Sequence, residues 1–203
     1  MRGLYAAKPW FTRQLKRIVD AAVAHGWSPD AFTVIGVLFA AIAAVGLLVG
    51  LWPVVLVGLV GRLAGANLDG AVARAREVSR PVGFLINEIG DRVSDLLPLA
   101  ALAYLAFTSG SRLALVLTLV ALIAASWPTF VSLAIAGAGG PRINGGPFGK
   151  TERVLVVLLT AIALVYFPHV VTLLIASIVI ILGSTVTAIT RILAGKRALK
   201  RVE

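Results

Sequence analysis

Residues 66–95 read ANLDGAVARAREVSRPVGFLINEIGDRVSD, and the carboxylates of Asp69, Glu88, Asp91 and Asp95 fall within this stretch, out of nine acidic residues in all. Long apolar runs lie on either side. A carboxylate beside hydrocarbon is costly unless it is paired, metal-bound or facing water, so these residues are candidates for function. Working outward, 59% of the 203 residues are hydrophobic, 14% are charged, and the mean hydropathy is +0.97. Soluble domains carry about a quarter charged residues, so the expected class is an all-α integral membrane protein. The first long apolar run begins near Ala31, which is not the usual form of a signal peptide. No cysteine is present, which excludes disulfides, thiolate metal sites and cysteine nucleophiles.

The hydropathy pattern predicts six membrane-spanning helices preceded by an amphipathic interfacial helix. Residues 1–27 mix Arg2, Lys8, Arg13, Lys16 and Arg17 with apolar side chains, and Trp10, Phe11, Gln14, Ile18, Ala21 and Ala22 recur at helical spacing. Ser28-Pro29-Asp30 reads as a helix start, with Ser28 as N-cap and Pro29 in the first helical position. The spans are expected at about Asp30–Leu51, Val54–Arg76, Val82–Phe107, Leu113–Ile135, Thr151–Phe167 and from His169 to about Ile192. The expected division is therefore a juxtamembrane helix (1–27), a six-helix membrane domain (28–195) and a basic tail (196–203).

Sixteen of the nineteen Lys and Arg residues fall in the N-terminal segment, the second and fourth connections and the tail. The positive-inside rule places these, and both termini, in the cytoplasm. The net charge of +10 is accounted for by topology and anionic lipid, so no nucleic-acid partner is expected.

On the third span Asn87, Asp91 and Asp95 follow at i, i+4 and i+8, and Glu88 lies three residues before Asp91. All four fall within a sector of about 100°. Acids crowded on one stripe repel unless a cation lies between them. Two readings fit: a hard divalent cation with oxygen ligands, or an ion-pair network in which Arg62, Arg74 and Arg92 neutralise Asp91 and Asp95. The segment Gly145–Thr151 lacks the spacing of a phosphate-binding P-loop, because Asn144 stands where glycine is needed and no strand precedes it. His25 and His169 lie at segment ends and carry no assigned chemistry.

The spacing Asp69-Gly70, Ala73-Arg74, eight residues, Gly83 and finally Asp91 resembles the signature D-x2-D-G-x2-A-R-x8-G-x3-D-x3-D of the CDP-alcohol phosphatidyltransferases, a family with a six-helix membrane core. The Ser-Pro-Asp-x-x-Thr33 start of the first span fits as well. Two positions depart: Ala66 stands at the first signature aspartate and Asn87 at the third. The resemblance implies a bacterial cytoplasmic-membrane enzyme that transfers a phosphatidyl group from CDP-diacylglycerol, or a related CDP-alcohol, to a polyol or polyol phosphate, releasing CMP.

It implies that Asp69, Gly70, Ala73, Arg74 and Gly83 bind the CDP moiety and that Asp91 is the general base. Mg²⁺ or Mn²⁺, one or two ions, would sit on Asp69 and Asp91, with Asn87, Glu88 and Asp95 as further ligands and Asn67 as another nearby oxygen donor. Arg142, Lys150, Arg153 and Arg191 are candidates for an acceptor's phosphate, or else topology charges against lipid headgroups. A homodimer is a further implication. The departures leave two rivals: a catalytically impaired homologue that binds lipid or nucleotide or scaffolds a partner, and a small transporter using the acidic stripe.

Overall fold

The computed structural model describes residues 8–78 and 80–200. Eight helices follow in order: α1 (Lys8–Gln14), α2 (Lys16–Ala24), α3 (Pro29–Leu48), α4 (Trp52–Ala75), α5 (Pro81–Thr108), α6 (Arg112–Gly137), α7 (Lys150–Tyr166) and α8 (His169–Leu199). Among the described residues there is no strand. Arg2 and the rest of residues 1–7, and residues 201–203 of the expected tail, lie outside the described residues, as does Ser79.

The six long helices correspond to the six expected spans, and four of them, α3, α4, α6 and α8, are long and apolar enough to cross a membrane. α7 has 17 residues, about 26 Å at 1.5 Å per residue, slightly short of a bilayer core of about 30 Å. α5 has 28 residues but carries Glu88, Asp91, Arg92 and Asp95. Large apolar side chains stand exposed along these helices, among them Leu38, Val45, Val57, Ile123, Phe130, Ile175 and Leu182. Such surfaces are stable against lipid rather than water.

The chain divides into two compact units, one within Ala7–Leu102 and the other within Ala103–Glu203. In the first, α3 and α4 pack at very close range. A Cβ added to Gly58 would lie 2.5 Å from the Ala43 backbone nitrogen, and one on Gly65 would lie 2.7 Å from the Gly36 Cα. Small residues let helix backbones approach where lipid offers no hydrophobic drive for association. Ser28 caps α3 as expected, its Oγ accepting from the Asp30 N–H at 3.3 Å.

The N-terminal segment is two short helices that meet at Leu15, not one continuous helix. Leu15, Val19 and Ala22 pack on Phe32, Leu68 and Val72, whereas Trp10, Ile18 and Val23 remain exposed. Arg76 donates to the Gly26 and Trp27 carbonyls and ties this segment to the end of α4. α4 ends with Glu77 at a φ of 53°, while the Val78 N–H reaches back to the Ala73 carbonyl, the six-to-one bond of a Schellman ending.

In the second unit α6 packs on α8 through small and hydroxyl-bearing side chains. The Thr118 hydroxyl donates to the Ala114 carbonyl and lies 3.0 Å from the Ser177 hydroxyl. Interhelical hydroxyl pairs of this kind add modestly to packing in membranes, about 0.6 kcal/mol on average.

Candidate active site

The second half of α4 carries Asp69 on the face turned toward α3, because Gly65 one turn earlier brings the two backbones together. Asp69 is 6% exposed, so its charge must be met by donors. Three are present. Oδ2 accepts from the Thr33 hydroxyl of α3 at 3.1 Å and from the Asn87 side-chain amide of α5, and Oδ1 accepts from the Gly70 N–H. Thr33 is itself held by α5: a Cβ on Gly90 would lie 2.3 Å from its Cγ2, so only glycine admits the threonine methyl there.

Asp69, Gly70, Ala73, Gly83 and Asn87 line one cavity of about 210 Å³, together with Pro29, Asp30, Thr33, Val78, Arg80 and Phe84. The eight residues between Arg74 and Gly83 end α4 and begin α5, which folds the two halves of the signature against each other. A Cβ at Gly83 would stand 3.6 Å from the Asp30 carboxylate, an ordinary contact, so Gly83 lies beside Asp30 without crowding it. At the mouth Arg80 pairs with Asp30 at 2.8 Å. Arg74 does not line the cavity but folds back over Gly70, its Nη1 only 3.2 Å from a Cβ built there.

Glu88 and Asp91 are partly buried on α5 and lie outside the described cavity wall. Asp91 stands one turn beyond Asn87, about 6 Å along the helix axis. Asp95 belongs to an ion pair: Arg62 of α4, 1% exposed, bonds its Oδ1, and Arg92 lies 3.1 Å from its Oδ2. The ion-pair reading of the stripe is therefore realised at Asp95. Asn67 turns its amide back to the Leu63 carbonyl of its own helix at 2.8 Å.

Among the described residues no group of three or more His, Cys, Asp or Glu is gathered to hold a metal ion. The described carboxylates therefore form no self-contained cage. Where the signature has a third aspartate, Asn87 supplies an amide donor to Asp69, so no cation is needed between those two side chains. A hard divalent cation held by one or two carboxylates, with substrate phosphate oxygens completing its shell, fits this donor set.

In the second unit Arg153, in the first turn of α7, and Arg191, on α8, are buried, while Arg142 and Lys150 are half-buried. Glu152 accepts from the Gly149 N–H at 2.9 Å and caps α7. Arg191 donates from Nε to the Gly145 carbonyl at 2.8 Å, from Nη2 to the Asn144 carbonyl at 3.0 Å, and from Nη1 to the Pro128 carbonyl.

Sequence reasoning passed over Asp30, Arg80 and Gly90 as parts of the site. The Ser-Pro-Asp-x-x-Thr pattern was a usable signal for Asp30 and Thr33, since it puts both on one helical face. Nothing local marks Gly90 as the seat of Thr33.

No family model matches the chain. It is 32% identical over 80% of its length to a phosphatidylinositol phosphate synthase of Mycobacteroides abscessus, 74% of which is covered. It is 31% identical over 95% of its length to an uncharacterized protein of Aquifex aeolicus, 94% of which is covered. Among solved structures it resembles the Mycobacterium tuberculosis phosphatidylinositol phosphate synthase with CDP-DAG bound, at a TM-score of 0.73 and 23% identity, covering 90% of this chain and 94% of that one. The same protein in complex with manganese and citrate gives a TM-score of 0.71 at 23% identity, covering 89% of this chain and 88% of that one. With the spacing of Asp69, Gly70, Ala73, Arg74, Gly83 and Asp91, this relationship makes the chain a member of the CDP-alcohol phosphatidyltransferase family.

Proposed function

We propose that this chain is a bacterial membrane enzyme of phospholipid biosynthesis that transfers the phosphatidyl group of CDP-diacylglycerol to an alcohol and releases CMP. The observation that carries this reading is the convergence of Asp69, Gly70, Ala73, Gly83 and Asn87 on one cavity at the α4–α5 turn. Gly70 and Gly83 let a nucleotide approach the backbone closely, and Arg74 and Arg80 offer charge to its diphosphate. Asp91 accepts the proton of the acceptor hydroxyl. The hydroxyl oxygen bonds to the lipid-side phosphorus of the diphosphate, the bond from that phosphorus to the bridging oxygen breaks, and CMP departs with the electron pair.

A single Mg²⁺ or Mn²⁺ on Asp69 and Asp91 would neutralise diphosphate charge and polarise its phosphoryl oxygens. Asp95 is assigned to the Arg62 pair rather than to the ion, and Glu88 and Asn87 support the stripe. The acceptor is a polyol or polyol phosphate, with Arg142, Lys150 and Arg153 as the charges that meet its phosphate.

All six helices α3–α8 are taken as spans, with α1–α2 in the membrane interface and both termini in the cytoplasm. The membrane domain covers residues 28–195, between the juxtamembrane segment and the tail. The apolar surfaces of α3–α8 and the basic residues of the connections support this arrangement.

The test is product analysis by mass spectrometry. Purified protein is given CDP-diacylglycerol, Mg²⁺ or Mn²⁺, and a panel of glycerol, glycerol phosphate, inositol and inositol phosphate. The expected result is a metal-dependent phosphodiester from one acceptor class. Metal-independent binding of CDP-diacylglycerol with no product from any acceptor would mark a catalytically impaired homologue.

A further inference from the structure

A threonine on a helix has one hydroxyl proton, and a carbonyl of the preceding turn is its usual acceptor. Thr118, Thr160 and Thr172 follow this pattern, donating to the Ala114, Val156 and Pro168 carbonyls. Thr33 departs from it. Buried near the start of α3, it sends its hydroxyl 36 positions along the chain to Asp69 Oδ2 of α4.

The reason lies on α5. Hydroxyl and methyl share one Cβ, so fixing the direction of the methyl also fixes that of the hydroxyl. The Thr33 methyl lies only 2.3 Å from where a Gly90 Cβ would stand. The other neighbours of that point, Val37 Cγ2 at 3.7 Å and Thr33 Cβ at 3.8 Å, are at ordinary contact distance. Gly90 therefore presents a notch the size of one methyl, and Thr33 fills it. The methyl has no flexible stem, so an alanine at position 90 would drive Thr33 into another rotamer. Bonding back to α3 is then the alternative open to the hydroxyl. Asn87, three residues before Gly90 on the same face of α5, donates to the same Asp69 oxygen. One face of α5 thus governs both of these donors.

We propose that Thr33 is a positioning residue for Asp69, and that Gly90 sets the rotamer that makes it one. Thr33 fixes the orientation in which the Asp69 carboxylate meets a divalent cation, and it acts through Asp69 rather than as a ligand. The proposal rests on the reading that Asp69 holds such a cation. Partners that orient a metal-binding side chain account for about 10–100-fold in metal affinity. Cation affinity is therefore set in part by two uncharged residues, one on α3 and one on α5.

The experiment reads Mn²⁺ binding rather than turnover. Full-length protein in detergent micelles is titrated with Mn²⁺ in the presence of CDP-diacylglycerol and without an acceptor. Free Mn²⁺ is followed by electron paramagnetic resonance against a protein-free blank, and melting in EDTA reports folding. The variants are Thr33→Val, Gly90→Ala and the double variant Gly90→Ala/Thr33→Ser. Valine keeps a methyl in the Gly90 notch and removes the hydroxyl. The double variant moves the methyl from position 33 to position 90, so the notch stays filled and the hydroxyl is kept.

The Kd for Mn²⁺ should rise about tenfold in Thr33→Val and in Gly90→Ala, and return to within about threefold of the wild type in the double variant. Alanine at position 90 is then harmful beside threonine and harmless beside serine. A Thr33→Val protein that binds Mn²⁺ within about twofold of the wild type would reduce Thr33 to a packing role and overturn the proposal. A double variant that melts like the wild type yet binds Mn²⁺ as weakly as Thr33→Val would also overturn it. If Gly90→Ala alone does not fold, the other two variants still decide. A wild type that binds no Mn²⁺ would overturn the proposal together with the metal reading. The expected binding pattern without CMP release from any acceptor would support the positioning role and sink the transferase reading alone.

Discussion

Replacing Asn87 by aspartate should make the stability of this protein depend on divalent cations. In the wild type the Asn87 amide donates to the buried Asp69 carboxylate. Asn87→Asp removes that donor and sets a second carboxylate against the first. A lost hydrogen bond to a charged acceptor costs about 1.5–3 kcal/mol. Two unit charges at about 4 Å in a medium of effective dielectric near 20 repel by about 4 kcal/mol. Rotation of the new side chain away from Asp69 relieves part of this, so a net loss of about 3–4 kcal/mol is expected in the absence of metal.

At roughly 2–4 °C per kcal/mol, the variant should unfold about 6–16 °C below the wild type in EDTA. A cation bridging Asp69 and the new carboxylate should then restore about 2.7 kcal/mol at a hundred times its Kd. The wild type, which already has an amide in that position, should gain less. The assay is thermal unfolding in detergent, in EDTA and across a Mn²⁺ titration. An Asn87→Asp protein that melts within about 2 °C of the wild type in EDTA would refute the reasoning, since the amide–carboxylate contact could then not carry the expected energy.

Other substitutions test the remaining supports. Gly58→Ala should destabilise by several kcal/mol or prevent folding, because the new methyl meets the α3 backbone; expression yield and melting temperature read this. Glu77→Gly should stabilise by up to about 1 kcal/mol by relieving a left-handed residue, seen as a rise in melting temperature. Arg62→Gln should cost about 3–5 kcal/mol by stripping a buried partner from Asp95, and adding Asp95→Asn should recover part of that loss in a double-mutant cycle. Gly70→Ala should fold normally, since only the mobile end of Arg74 must shift, yet raise the KM for CDP-diacylglycerol several-fold.

The helices were legible in the sequence because each long apolar run has its own punctuation: Ser28-Pro29, Trp52-Pro53, the Gly/Pro-rich connection and Pro168-His169. The resemblance to the family signature also brought out Asp69 with Gly70, Ala73 and Gly83, and its eight-residue interval covers the turn between α4 and α5. Periodicity could not tell which acids share a pocket. Asp91 and Asp95 lie on one stripe, yet Asp95 is taken by Arg62, a residue 33 positions earlier whose approach depends on α4–α5 packing. The N-terminal segment reads as one amphipathic helix because its apolar residues serve two surfaces. Leu15, Val19 and Ala22 face α3 and α4, while Trp10 and Ile18 face outward, and the helix breaks at Leu15. Arg191 reads in the sequence as an acceptor-phosphate candidate or a topology charge, and its carbonyl partners emerge only from the packing of α8 on the connection.

The most direct test of phosphatidyl transfer at the Asp69 cavity is CMP release by purified wild-type and Asp91→Asn proteins, each with CDP-diacylglycerol, Mn²⁺ and the preferred acceptor, alongside CDP-diacylglycerol binding. The account predicts metal-dependent release by the wild type, a loss of about a hundredfold or more in the Asp91→Asn protein, and binding preserved in both. Undiminished CMP release by Asp91→Asn would contradict it and move the base to another residue of the stripe.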